Sequence, residues 1–249
     1  IEVEGTEDQK AMFYTSYYHT MINPSIYMDV DGKYRGLDQN IHEADGFKNY
    51  TVFSLWDTYR AEHPFLMLMK PTEARDMAMS MIRHQQQSVH GLLPIWSHMA
   101  NDNWCMSGYH ATSVLADAIA KGANVDKDEA LKAMVTTSNV PYFDGLGEYV
   151  KLGYVPFDTS IFYGTHPGGS QFSASHTLEY SFSAYAVAQW AKALGKDEDY
   201  ARLMELSRGW EKLFNDSLKL IHPRDAEGRF IDNFNPLESW RGFQEGNSM

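Results

Sequence analysis

The sequence predicts a mainly α-helical fold, an α/α toroid of helical hairpins with a small β-hairpin and irregular strands. Two neighbouring segments lead to this prediction. Ser175 to Leu194 is apolar on two opposite sides of a helix, which is typical of a helix buried all round. Asp197 to Asn215 has apolar residues on one face and charged residues elsewhere, which indicates a helix that faces solvent. An inner helix followed by an outer one is what a ring of helical hairpins requires.

The first part of the chain predicts a helix, a hairpin and a loop, in that order. Thr6 to about Met21 has acidic residues in its first turn and is stopped by Asn23-Pro24, as expected of a helix. Asp29 to Gly32 lies between two strand-like runs and ends in Asp-Gly, which supplies the positive φ of a hairpin turn. Gly36 to Gly46 is polar and is predicted to be a loop.

Helix then follows helix with short breaks, the pattern of stacked helical hairpins. The predicted helices are Glu73 to Ser88, Tyr109 to Lys121 and Asp126 to Thr136. The glycine- and serine-rich stretch Thr165 to Ser175 is short enough to be a loop within one domain. From Leu218 to Asn235 the chain is irregular and strand-like.

The stretch Phe47 to Phe65 brings a strand-like run directly into a helix start. Ser54 and Asp57 have the spacing of a capping box, in which the serine caps the helix and the acid bonds back to the cap's own N–H. The alternative is a sugar pocket, in which Trp56 offers a flat face to a pyranose ring while Asp57 and Arg60 bind its hydroxyl groups. On these residues alone the cap is the favoured interpretation, because helix caps are commoner than sites.

The bulk composition excludes several classes of partner. With 249 residues the chain can form one large domain, and its net charge of −12 argues against nucleic acid, whose binding needs phosphate neutralisation. No apolar run approaches the roughly 20 residues of a membrane helix. The single cysteine, Cys105, excludes an internal disulfide and a multi-thiolate metal site. Because the chain begins with Ile1 and not Met, we expect a processed or excised piece.

Five groups of motifs, in the same order along nearly the whole chain, resemble the exo-acting α-mannosidases of glycoside hydrolase family 92. They are Trp56 to Arg60 (WDTYR), Ser107 to His110 (SGYH) with 116–118 (ADA), Tyr142 to Leu146 (YFDGL) with 153–156 (GYVP), Ser175 to Tyr180 (SHTLEY), and Gly242 to Asn247 (GFQEGN). The resemblance implies a six-hairpin toroid, of which residues 1–249 supply roughly the first half. The family's N-terminal β-sandwich and the second half of its catalytic domain are expected to lie outside this chain.

The resemblance also implies an activity and a set of site residues. The expected activity is inverting, calcium-dependent hydrolysis of terminal α-mannosides of N-glycan or mannan type, with α-1,2 linkages preferred. Glu245 matches the general acid, which protonates the departing glycosidic oxygen. Asp57, beside Trp56, matches a residue that holds the terminal mannose. The remaining residues assigned to substrate binding are Arg60, Gln244, Trp104 and His110.

His110 and Glu245 also have a purely structural interpretation, and so does Glu179, an acid to which the resemblance assigns no role. Trp104 and His110 are predicted at the pocket mouth, although a lone histidine near a helix start is more often a structural residue. Glu179 falls in the first turn of the predicted inner helix, where the helix dipole alone explains an acid. For Glu245 the alternative is a solvated acid in a turn flanked by glycines.

The catalytic base and the calcium ligands are expected elsewhere. In the family the base is an aspartate in a Gly-Asn-Asp motif downstream of the acid, and this sequence contains no such motif. Calcium takes about six to eight oxygen ligands, and no such set is apparent, so we assign no metal ligand in this chain. We therefore expect these residues to be inactive without the remainder of their own enzyme. Secretion or a periplasmic location follows from the resemblance alone.

Two rival functions stay open. One is a metal-independent enzyme that acts on glucosides with the same toroid, which chelator sensitivity distinguishes. The other is a non-catalytic carbohydrate-binding or scaffold domain that uses Trp56 and Trp240 as platforms. Replacing Glu245 by glutamine distinguishes this second alternative from an enzyme. If Glu245 is the acid, the variant still binds the sugar but its hydrolysis collapses.

Overall fold

The computed structural model describes residues 1–160 and 169–249. The chain is mainly helical with short strands, so that prediction is confirmed. None of the helices in these two ranges is long and apolar enough to cross a membrane. The helices are α1 (Glu7–His19), α2 (Leu55–Thr58), α3 (Glu62–Met69), α4 (Pro71–Gln87), α5 (Ala111–Ala120), α6 (Lys127–Thr137), α7 (Leu146–Leu152), α8 (Ser173–Ala193) and α9 (Asp197–Leu206), followed by a 3-10 helix (Gly209–Leu213).

The strands form small antiparallel sheets, in which β1 pairs with β4, β2 with β3, β5 with β6, β6 with β7, and β8 with β9. The strands are β1 (Ser25–Ile26), β2 (Lys33–Arg35), β3 (Ile41–Glu43), β4 (Tyr50–Thr51), β5 (Phe53–Ser54), β6 (Trp96–His98), β7 (Asn101–Asp102), β8 (Phe214–Asn215) and β9 (Leu220–Ile221). The last pair lies where the irregular, strand-like region was predicted to begin.

The predicted hairpin is shifted along the chain. Asp29 to Gly32 does form a turn, but the strand before it pairs with β4 and the strand after it pairs with β3. The hairpin turn therefore lies inside the predicted loop, between Gly36 and Asn40. The Gly36 N–H donates to the Asn40 carbonyl at 2.9 Å, and the Asn40 N–H donates to the Asp38 carboxylate at 3.0 Å. Both turns form, but only the turn at Asp38, whose carboxylate binds a backbone N–H two residues on, connects two strands that pair with each other.

Helices α4, α5 and α6 confirm their predictions to within a few residues. The Asp126 carboxylate caps α6 by accepting the N–H of Glu129 at 2.7 Å. Helix α7 was not predicted, because the glycines Gly145 and Gly147 indicated a turn at its start. Gly145 and Gly153 are left-handed, with φ of 70° and 76°, and they begin and end this helix of 7 residues. Of the predicted loop from Thr165 to Ser175, residues 165–168 lie outside the described residues, and residues 173–175 begin α8.

Helix α8 is the inner helix of the fold and packs on α5, α6 and α9. On one side its residues are fully buried, including Tyr180, Ala184 and Val187. The expectation that it is buried all round is wrong for the other side, because Phe182 there is 46% exposed. Phe182 packs on Tyr59, but the described part of the chain leaves nearly half of its surface uncovered. The complete six-hairpin ring stays a prediction.

The outer helix is shorter than predicted. Helix α9 buries Leu203 and Leu206 against α8, as its apolar face predicts, but it ends at Leu206 and not at Asn215. Gly209 lies within the predicted span, and glycine weakens a helix interior. In the structure it starts the 3-10 helix, where a Cβ would lie 2.3 Å from the Gly153 carbonyl oxygen.

One buried histidine in α3 has a direct consequence for acid stability. His63 is 3% exposed, and its Nε2 makes no hydrogen bond with any described residue. Burial disfavours the charged imidazolium and lowers the pKa of His63 from 6.5 to about 4. The unfolded chain therefore takes up a proton between these two values that the folded chain does not. The contribution of neutral His63 to the free energy of unfolding is therefore fully present above pH 6.5 and is lost as the pH falls from 6.5 to 4.

We predict that His63→Leu reduces the acid sensitivity of the fold. Between pH 7 and pH 5 the wild-type free energy of unfolding should fall by about 2 kcal/mol more than that of the variant, because only the wild type must keep this histidine neutral. Urea unfolding at the two pH values measures the difference. His19→Gln, at an exposed position of α1, is the control, and an unchanged pH dependence in His63→Leu would contradict the assignment.

Candidate active site

The strand β5 runs directly into α2, as predicted, but without a capping box. Ser54 belongs to the strand, where it pairs with Trp96, and its side chain makes no hydrogen bond to a helix N–H. Its hydroxyl group instead donates to the carboxylate of Asp57, which lies on an exposed position of the short helix. The capping-box interpretation is therefore wrong, because the Ser54 hydroxyl binds the Asp57 carboxylate and not a backbone N–H of the helix.

Helix α2 and the residue after it form a ring cluster with the start of α5 and with α8, which we define as Trp56, Tyr59, His110 and Phe182. Tyr59 stacks on His110, with ring centroids 4.1 Å apart and an interplanar angle of 6°. Trp56 approaches His110 edge-on at 6.4 Å, and Phe182 lies 5.4 Å from Tyr59. The Arg60 guanidinium lies 4.9 Å from the Tyr59 ring centroid. The structure thus brings three of the predicted site residues to one place.

His110 lies inside this cluster and not at a pocket mouth, because it is only 1% exposed. Burial, assisted by the charge of Arg60, lowers the pKa of His110 to about 3, so that the imidazole is neutral at pH 7. Its Nε2 lies 3.2 Å from Oε2 of Glu179 without forming an aligned hydrogen bond. Burial also raises the pKa of Glu179, although the charge of Arg60 opposes the shift.

The terminal GFQEGN loop is fastened to the same region through Gln244. The Gln244 N–H donates to the Ser175 hydroxyl at 2.9 Å, and the Ser107 hydroxyl donates to Oε1 of Gln244 at 2.6 Å. Ser107 lies just before α5 and Ser175 lies in the first turn of α8, so the loop bridges the starts of two helices. Glu245 follows directly and is exposed, with φ at 52°.

Trp104 lies in a different cleft. Its ring packs edge-on against His90 at 4.5 Å and against Phe143 at 6.2 Å. This open cleft is otherwise lined by Leu37, Gln39, Ser88, Val89, Ala100, Asn101 and Asp102. Among the described residues, the Trp104 ring makes no ring contact with the ring cluster. A binding role for Trp104 stays a prediction, but at another surface than that of Trp56.

The described residues do not fit the calcium that the resemblance implies. Within residues 1–160 and 169–249, no three His, Cys, Asp or Glu side chains come together as a possible metal site. The candidate acids Asp57, Glu179 and Glu245 therefore belong to no such group within these ranges. We therefore derive no chemical step through a metal from this part of the chain.

Comparison with known proteins decides the family. The model of the glycosyl hydrolase family 92 catalytic domain matches residues 1–249. The chain belongs to glycoside hydrolase family 92. A solved family 92 α-mannosidase from Bacteroides thetaiotaomicron is 43% identical over 99% of this chain, with a TM-score of 0.91. A family 92 inverting mannosidase from the same organism is 30% identical over 99% of the chain, with a TM-score of 0.86.

The family 92 chain is much shorter than these relatives. It covers 32% and 33% of the two solved proteins. A curated relative from Arthroderma benhamiae, described as an uncharacterized secreted glycosidase, is 31% identical over 59% of this chain, which corresponds to 20% of its own length.

The sequence did not single out every residue that builds this site. Tyr59 lies within WDTYR, but only its neighbours were assigned a role. Ser107 and Ser175 were part of the motifs used for the resemblance, and nothing in their spacing predicted that both would bind Gln244. Phe182 lies on a side of α8 that was expected to be buried, but it forms the exposed edge of the ring cluster.

We predict that Gly108→Ala destabilises the fold by displacing His110. Gly108 has a φ of 93°, and a Cβ there would lie 2.3 Å from Nε2 of His110. Gly122 has the same φ of 93° with nothing within 4 Å, so Gly122→Ala reports backbone strain alone. Urea unfolding should show Gly108→Ala to be less stable than Gly122→Ala by about 1–3 kcal/mol, the cost of overpacking. Equal losses of stability in the two variants would show that the ring cluster accommodates the added methyl group at no cost in free energy.

Proposed function

We propose that this chain is part of the catalytic domain of an exo-acting, inverting α-mannosidase. Its substrates are terminal α-mannosides of N-glycan or mannan type, with α-1,2 linkages preferred. The observation that carries the proposal is the 43% identity to a family 92 α-mannosidase over 99% of the chain. Because the chain spans about a third of that relative, we assign the activity to the whole protein that contains it.

In this proposal Glu245 is the general acid. It transfers its proton to the glycosidic oxygen while water attacks the anomeric carbon from the opposite face and gives up its own proton to a base. The attachment of Gln244 to Ser107 and Ser175 supports this role, because it fixes the residue beside Glu245 against two helix ends. The exposure of Glu245 leaves its carboxyl group open to a substrate.

Trp56, Asp57 and Arg60 bind the terminal mannose in this proposal, and Gln244 supports them from the terminal loop. An indole face, a carboxylate and a guanidinium that converge on one surface are the mixture that a polar sugar ring requires. The ring cluster supports the assignment, because Tyr59 joins Arg60 to His110 and His110 joins both to Trp56.

The base and the calcium belong to the part of the enzyme beyond these residues. A base about 6.5–9.5 Å from the acid leaves room for the attacking water. We assign residues 1–249 to roughly the first half of the toroid, and the exposed side of α8 around Phe182 supports this, because a further helical hairpin would cover it. Secretion or a periplasmic location is supported by the description of the fungal relative as secreted.

We predict that Glu245→Gln in the whole protein abolishes most cleavage of α-1,2-mannobiose while binding of mannose survives. The rate should fall by about 10²–10⁴, because general acid catalysis is lost, and an activated aryl mannoside should lose less, because its leaving group needs no protonation. Glu238→Gln, which removes another acid of the same region, is the matched control. Equal losses of cleavage rate with the two substrates, or no loss with either, would show that Glu245 is not the general acid.

We also predict that the first product of the whole enzyme is β-mannose and that its release stops on chelation and returns with calcium. Inversion converts an α-mannoside to the β-anomer, which proton NMR detects before mutarotation. A matched reaction without chelator is the control. Release that ignores the chelator would favour a metal-independent enzyme, and preference for a glucoside would identify the glucosidase alternative.

A further inference from the structure

Glu179 is an acid whose position the helix dipole does not explain. Helix α8 begins at Ser173, two residues earlier than predicted, and its first turn contains no acid. Glu179 therefore lies beyond the turn in which the dipole acts, and the explanation suggested by the sequence is wrong. Its side chain is 20% exposed, so much of a carboxyl group has been taken out of water. That burial costs free energy unless a partner compensates for it.

The protein supplies little of that compensation. Within the described residues, Glu179 makes no ion pair with a lysine or arginine within 4.0 Å, and its polar neighbour at that distance is His110. Neutral His110 does not cancel a carboxylate charge. Arg60 is near enough to lower the pKa of Glu179 but is not in contact with it. The carboxylate is thus held in place with its charge largely unpaired.

Glu179 also lies close to the residues of the proposed site. Ser175, which holds the N–H of Gln244, precedes it by one helical turn on the same face of α8, and one turn rises about 5.4 Å. On its other side, His110 connects Glu179 to Trp56 and Tyr59. Glu179 is therefore near Ser175, which binds the terminal loop, and in contact with His110, whose ring packs against Trp56.

We propose that Glu179 accepts a hydrogen bond from a hydroxyl group of the bound mannose. This inference rests on the proposed function and adds a binding residue that the family motifs did not assign. A carboxylate beside an indole is the pair of groups that recognises a pyranose, since one accepts from hydroxyl groups and the other stacks on the apolar ring face. His110 serves as a positioning residue, because it supports the carboxylate without neutralising it.

Glu179→Gln in the whole protein, assayed with methyl α-mannoside and its 2-, 3-, 4- and 6-deoxy forms, tests the inference. Tryptophan fluorescence measures binding, and hydrolysis gives kcat/KM separately. The variant should bind the parent mannoside about 10- to 100-fold more weakly, because a hydrogen bond to a charged group is lost. For one deoxy form, which lacks the contacted hydroxyl group, wild type and variant should bind equally.

Glu148→Gln is the matched control, because Glu148 is 24% exposed and pairs only with Lys151 on its own helix among the described residues. Glu179→Asp keeps the charge and tests the distance if Glu179→Gln fails to fold; it should show the same selective pattern with a smaller loss. A uniform loss across all deoxy forms, or no loss, overturns the inference, and so does a wild type that binds no mannoside. A wild type that binds mannoside without cleaving it overturns the proposed function alone, since the binding comparison still decides the role of Glu179.

Discussion

The stack between Tyr109 and Tyr180 is the contact on which the rest of the site depends. Both rings are fully buried, with centroids 5.5 Å apart, and Tyr180 also packs on Tyr149 and Phe143. The hydroxyl group of Tyr180 donates to the Asp144 carbonyl at 3.1 Å. This contact fixes the start of α5 against the second turn of α8. Their neighbours in the sequence, His110 after Tyr109 and Glu179 before Tyr180, are brought together as a consequence.

The site therefore combines rigid and irregular backbone. The side chains of His110 and Glu179 are positioned by two packed helices, whereas Trp56 projects from a single helical turn that follows a strand. Glu245 lies on a loop in a left-handed conformation that is uncommon outside glycine, and such conformations persist only when their surroundings hold them. Here the surroundings are the hydrogen bonds of Gln244 and the buried ring of Phe243, which is 4% exposed.

Hydrophobic periodicity predicted the helices well, because burial repeats along a helix in a way that the sequence records. It predicted strand pairing poorly, since strands of two or three residues have too few side chains to specify a partner. The site shows the same limit. Ser54 had the spacing of a cap but is committed to a strand, and a shift of two residues at the start of α8 removed the dipole explanation for Glu179. Such errors arise because one local sequence pattern fits more than one structure, and contacts with distant residues decide which structure forms.

The double attachment of Gln244 links positions that are far apart in the sequence. One amide side chain accepts from Ser107, and its backbone is held by Ser175, so three residues share one geometry. A substitution of Ser107 or Gln244 changes what the other can tolerate, because their side chains meet, whereas Ser175 binds a backbone group. Among homologous proteins positions 107 and 244 should accordingly vary together, while position 175 should vary independently of the residue at 244. The history of this loop would then be recorded as covariation between a helix start and a turn.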